Sequence, residues 1–194
     1  MPNRRTFLKS TLATAPLVLT PNLEVFGQAF AAPSQGSAAK PHFVAWGKDA
    51  TGTAHKGPRA GSHLLYKVLT ADTAGGLFLM EHSNMEPGGP ARHRHFVQEE
   101  WFYLIDGGEV VMEIADQRTT LKPGDCILAP RNVPHVWAYV GEKPGRMLIA
   151  FTPAGKMESF FNVTSTPGDH FKNPDFWKEH EMELLGPPLS LKSS

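Results

Sequence analysis

His93 and His95 stand two residues apart, and two carboxylates, Glu99 and Glu100, follow a few positions on. In an extended strand residues i and i+2 face the same side, so the two imidazoles can aim at one point. Residues 101–105 (Trp-Phe-Tyr-Leu-Ile) are aromatic and β-branched, the composition of a second strand, and Gly107 closes the run. If the two runs pair, a carboxylate arrives beside two imidazoles. Nitrogen and oxygen donors converging in this way suit a divalent first-row metal. A later segment ends in another histidine: Gly124, a short apolar run, Pro130, Asn132, Pro134 and His135. A strand, a proline-containing turn and a histidine opening the next strand bring His135 back across a barrel. Asn132 falls where that turn needs a left-handed residue, which Asn tolerates better than most.

The elements that must carry these residues are short. Residues 62–70, 77–82, 109–114, 118–121, 126–129, 135–140 and 147–151 read as strands, separated by turns such as Gly75-Gly76, Gly107-Gly108 and Lys122-Pro123-Gly124-Asp125. Strands of this length at near-regular spacing predict an all-β sandwich or barrel. The end changes character. Residues 153–163 read as a short helix with an apolar face (Met157, Phe160, Phe161), and Asn173-Pro174 reads as an N-cap with proline at the first helical position. From there residues 175–185 are expected to continue as helix until Gly186-Pro187-Pro188 stops it.

The chain of 194 residues has 19 Lys plus Arg against 19 Asp plus Glu, so no global field points to nucleic acid or an anionic membrane. Its single cysteine, Cys126, excludes an internal disulfide and a multi-cysteine zinc or iron–sulfur site. The first residues are basic, residues 11–20 are modestly apolar, and Ala29-Phe30-Ala31 has the spacing of a signal-peptidase site. That apolar stretch is too short to span a bilayer and is broken by Pro16, so no stable membrane insertion is expected after cleavage. Arg4-Arg5-Thr6-Phe7-Leu8-Lys9 resembles the twin-arginine export signal of bacteria. The expected organisation is a leader over residues 1–31, handled by the twin-arginine translocation machinery, with a periplasmic or secreted product. An arm follows over 32–45, then a β-barrel over 46–152 and a helical tail over 153–194. Export of an already folded protein would let a weakly held metal be trapped before copper or zinc could compete.

Both histidine-bearing stretches resemble the two motifs of the cupin superfamily. The first, at about 88–107, reads His93-x-His95, then Glu100, then six residues to Gly107; the second, over 124–139, reads Gly124, five residues, Pro130, and His135 five further on. The departures are small. Pro87 takes the family's usual glycine position, with Gly88 and Gly89 after it; Asn132 replaces a glycine, and Tyr139 stands where asparagine is common. The chain is most similar to small single-domain bacterial cupins described as quercetin-dioxygenase-like. The resemblance implies a jelly-roll barrel and makes His93, His95, Glu100 and His135 the ligands of one divalent metal. It also selects Glu100 over Glu99, by the spacing to Gly107. Three imidazoles and a carboxylate suit Fe(II) or Mn(II), with Ni, Co or Zn as alternatives.

Phe102 and Leu104 share strand parity with Glu100, Trp137 and Tyr139 share it with His135, and Met147, Ile149 and Phe151 can face inward together. As a group they are expected to line an apolar, partly aromatic pocket for a small-molecule substrate. Gln98 and Glu99, in the bend between the ligand strands, are expected either in solvent or at the pocket mouth as acid–base groups. Cys126 reads as a buried small hydrophobe, and His55, His63, His82, His170 and His180 as surface or loop residues. The resemblance implies a metal-dependent dioxygenase acting on a flavonol-like or β-dicarbonyl compound. A decarboxylase, lyase or isomerase on the same scaffold and a non-catalytic periplasmic binding protein are the alternatives. By analogy with the family, a homodimer is the expected assembly.

Overall fold

The computed structural model describes residues 41–59 and 61–191. The expected leader and most of the arm therefore lie outside the described residues. In chain order the elements are β1 (His55–Lys56), β2 (His63–Val68), β3 (Phe78–Met85), β4 (Ala91–His95), β5 (Glu99–Asp106), β6 (Val110–Ile114) and β7 (Gln117–Leu121). They continue with β8 (Cys126–Ala129), β9 (His135–Tyr139), β10 (Gly145–Thr152), α1 (Met157–Thr164), α2 (Pro174–Glu179) and β11 (Met182–Pro188). The strands form two antiparallel sheets, one ordered β1-β2-β3-β10-β5-β8 and the other β11-β4-β9-β6-β7. This is an all-β jelly-roll body with short helices near its C-terminal end.

Alternation builds the core. In β5, Glu100, Phe102 and Leu104 are buried while Glu99, Trp101 and Tyr103 are half-buried on the other face. In β10 the buried set is Gly145, Met147, Ile149 and Phe151. The pairing of β5 with β10 sets Glu100 opposite Phe151, Phe102 opposite Ile149 and Leu104 opposite Met147. The turn after β5 has a local cause. Gly107 has φ of 101°, and a Cβ there would stand 2.5 Å from the Gly145 Cα and 2.6 Å from the Tyr139 hydroxyl. Only glycine meets both demands. Asn132 is left-handed, with φ of 63°, as the turn before His135 requires.

The tail is where expectation and structure part. Asn173 caps α2 by accepting a hydrogen bond from the Asp175 amide at 3.0 Å, with Pro174 behind it. The helix then ends at Glu179, not near residue 185. Glu181 takes a left-handed φ of 64°, which turns the chain out of the helix. Residues 182–188 form β11, antiparallel to β4, with Met182 opposite His95 and Leu184 opposite His93. Gly186, Pro187 and Pro188 are tolerated in this strand because it is an edge, where a missing N–H can face away from the sheet. Among the described residues, 153–191 therefore hold two short helices followed by a strand of the smaller sheet, not helix throughout.

Candidate metal centre

β4 delivers His93 and His95 to the space between the sheets, β9 delivers His135 directly opposite His93, and β5 delivers Glu100 from the other sheet. All four residues are buried, and one donor atom from each lies within 4.8 Å of the others. Glu100 Oε2 is the hub, at 2.8 Å from His135 Nε2, 3.1 Å from His95 Nε2 and 3.8 Å from His93 Nε2.

The far sides of two rings fix their tautomers. His93 Nδ1 is 2.7 Å from the Ala91 carbonyl, and His135 Nδ1 is 3.1 Å from the Val133 carbonyl. A carbonyl only accepts, so each Nδ1 carries a proton, and the neutral form of each ring turns an Nε2 lone pair inward. Those lone pairs face a carboxylate oxygen, an arrangement a shared cation satisfies. Protons satisfy it poorly, because burial, followed by the neighbouring His135 imidazole, lowers the His93 pKa to about 4. Burial pushes the Glu100 carboxyl up, but where no ion intervenes, protons that His135, His93 and His95 donate to it from Nε2 outweigh burial and hold the group well below the ordinary range. The donor set is thus three imidazoles and an ionised carboxylate, which fits one divalent ion.

Beside this cluster lies a cavity of about 450 Å3, within the size range of small-molecule sites. His93, His95 and Glu100 form part of its wall. Of the seven apolar residues expected to line it, Trp137 and Ile149 do. The other five, Phe102, Leu104, Tyr139, Met147 and Phe151, are fully buried core. Their inward direction is right, but neighbouring side chains fill the barrel at their level. Tyr139 serves a turn instead: its hydroxyl accepts from the Gly108 amide at 2.6 Å and donates to the Lys143 carbonyl.

The aromatic wall comes largely from the C-terminal segment. Met157, Phe160 and Phe161 of α1, Trp177 of α2 and Met182 of β11 all line the cavity. Trp177 packs on His93 with ring centroids 5.2 Å apart, held by its Nε1–H donating to the Phe171 carbonyl at 3.1 Å. The apolar positions at 157, 160 and 161 were visible as a helix face, but which surface they cover depends on how the segment folds back.

Of the two bend residues, neither lines the cavity, and only Glu99 reaches solvent. Glu99 accepts from the Arg131 amide and from its Nε, each at 2.6 Å. Partial burial pushes its carboxyl up, but these bonds win and lower it. Gln98 is fully buried and donates from Nε2 to Glu181 Oε2 at 2.8 Å, tying the bend to the turn before β11. Three further readings change. Cys126 is exposed, because the edge strand β8 turns it outward. His180 is buried and donates from Nδ1 to the Phe176 carbonyl at 2.8 Å. His82 is buried on β3 and lines the cavity.

Residues 81–151 match the family model described as Cupin domain, a span that contains all four donors. The match supports placing this barrel in the cupin superfamily. No curated protein matches the chain. Among solved structures the chain is similar to an RmlC-like cupin from Shewanella frigidimarina, at 18% identity over 61% of this chain and 96% of that one, with a TM-score of 0.48. It is also similar to KdgF from Halomonas sp., at 19% identity over 51% and 84%, with a TM-score of 0.44. A third is a recombinant oxalate oxidase in complex with glycolate, at 18% identity over 52% and 56%, with a TM-score of 0.42.

Proposed function

We propose that this protein is a metal-dependent dioxygenase for an aromatic or enol compound of flavonol or β-dicarbonyl type. One observation carries the reading: four buried nitrogen and oxygen donors converge beside an apolar cavity large enough for a small aromatic molecule, and three of them, His93, His95 and Glu100, form part of its wall. His93, His95, Glu100 and His135 would hold one divalent ion, Fe(II) or Mn(II) in this reading, with Ni, Co or Zn as alternatives that the same donors accept. Bound there, the ion supplies Lewis acidity that favours the ionised form of an acidic enol or phenol.

The chain's own groups supply the rest. Trp137, Trp177, Phe160 and Phe161 give flat apolar surface on which an aromatic body stacks, and they keep water from the reacting carbons. The Ala91 and Val133 carbonyls lock the His93 and His135 rings, so the donors are oriented before any substrate arrives. We also propose export by the twin-arginine route, with metal loaded before translocation and the product in the periplasm.

The test is oxygen uptake by Fe(II)- and by Mn(II)-loaded protein across a panel of flavonols and β-dicarbonyls. Stoichiometric uptake with at least one member is expected. Turnover that continues under nitrogen would replace this reading with a lyase or isomerase. Tight metal and ligand binding with no turnover in either atmosphere would make the protein a binding protein.

A further inference from the structure

The inner face of the larger sheet is a grid of three rows. Register sets Glu100, Phe151 and Phe78 in the first, Phe102, Ile149 and Met80 in the second, and Leu104, Met147 and His82 in the third. Eight of these nine residues have an evident reason to be buried: seven are apolar, and Glu100 faces three imidazoles. His82 is the exception. It is 6% exposed, and its Nε2 is buried with no hydrogen-bond partner among the described residues.

An unpartnered buried polar atom is destabilising, and an apolar side chain would fill the same corner without that cost. The cavity explains where a partner can come from. Glu100, Ile149 and His82 form the diagonal of the grid, and all three line the cavity. Two strand spacings and four residues separate the ends of that diagonal, about 16 Å between Cα atoms. With both side chains turned inward from a curved sheet, a molecule of two or three fused or linked rings spans the gap. Trp137, from the opposite sheet, meets the His82 ring edge-on at 6.0 Å and bounds the slot.

We infer that His82 is a second polar binding point of this cavity, and that its ligand is a planar aromatic with acidic chelating oxygens at one end and a hydroxyl at the other. The inference rests on the metal-centre reading for the first end and on His82 alone for the second. A hydroxyl both donates and accepts, so it pairs with Nε2 in either tautomer. Arg59 also lines the cavity and acts electrostatically on His82, which disfavours a cationic group at that end. Burial first, and Arg59 second, lower the His82 pKa to about 4, so the ring meets its ligand uncharged.

The experiment uses protein loaded with Mn(II) under nitrogen and two probes, 3-hydroxyflavone and 3,4′-dihydroxyflavone, with affinities read from tryptophan quenching. In the native protein the distal hydroxyl should tighten binding about fivefold, the worth of one neutral hydrogen bond. In His82→Leu the two probes should bind equally. Should that variant not fold, His82→Met gives the same apolar corner and the same comparison. An equal preference in native and variant protein, no preference in the native protein, or no binding of either probe overturns the assignment. Metal content measured on the same samples separates the two readings. One ion per chain alongside any of these failures leaves the metal centre standing; failure to retain an ion removes both.

Discussion

Met182 lies directly opposite His95 in the pairing of β11 with β4, so the strand that presents two of the four donors is braced by the last strand of the barrel. Met182 is 1% exposed and also lines the cavity. The support is mechanical as well as apolar. β4 touches β9 through the His93–His135 pair, whereas β11 follows it from Met182 to Pro188.

Removing the Met182 side chain should therefore weaken both the fold and the centre. Met182→Ala is expected to cost about 2–4 kcal/mol by the usual cost of a buried methionine truncation. It should also lower metal affinity measurably, because β4 gains freedom. Urea denaturation and a competitive chelator titration check the two effects. A stability loss with unchanged metal affinity would show that β4 is rigid without its neighbour.

The two adjacent carboxylates make a matched pair of variants. Glu100→Gln keeps the shape but removes the charge shared by three imidazoles, and metal affinity should fall by more than the roughly 10–100-fold typical of groups that only orient a ligand. Glu99→Gln breaks a half-exposed pair with Arg131, which is worth about 1 kcal/mol or less. Its metal affinity should match that of the native protein. Metal analysis after dialysis against a chelator reads both, and equal losses in the two variants would undo the choice of Glu100.

Cys126 offers a check on the edge of the larger sheet. It is exposed on β8, so one thiol per chain should react with a disulfide reagent in the folded protein without denaturant. Cys126→Ser should change stability by no more than about 0.5 kcal/mol, as surface substitutions do. A thiol that reacts only on unfolding would place a further element or a second copy over this edge.

The donors were legible in the sequence because their signal is local. His93 and His95 share a face by strand parity, and the turn at Asn132 that returns His135 needs a left-handed residue whose type can be read directly. The strands from β3 to β10 were legible as elements for the same reason, since alternation and glycine turns are short-range, but their order within the two sheets was not. β11 was not. Phe176, Trp177, His180 and Leu184 have helical spacing, and only the pairing partner β4 makes residues 182–188 a strand. The cavity lining was half legible. Parity gives direction, but whether Phe102 meets space or Ile149 depends on the height at which α1 and α2 enter the barrel. His82 carried no local signal, because a single histidine in an alternating strand looks alike whether it meets solvent or a cavity.

His82 should also write itself into the pH dependence of the metal-free protein. Its folded pKa is lowered to about 4, by burial first and then by Arg59, against an unfolded value of 6.5. Above pH 6.5 the ring is neutral in both states and contributes no slope. As the pH falls from 6.5 the unfolded chain takes up a proton that the folded chain refuses, so stability declines, and the decline ends near pH 4 where the folded ring also titrates. The difference of about 2.5 units corresponds to roughly 3 kcal/mol. His93, lowered to about 4 as well, adds a similar slope of its own, so the native curve alone does not isolate His82. Subtraction does. The stability of native protein minus that of His82→Gln should fall by about 3 kcal/mol between pH 7 and pH 4 in urea denaturation. A constant difference across that range would mean that the folded protein protonates His82 as readily as the unfolded chain does, and that burial in the sheet does not disfavour its charged form.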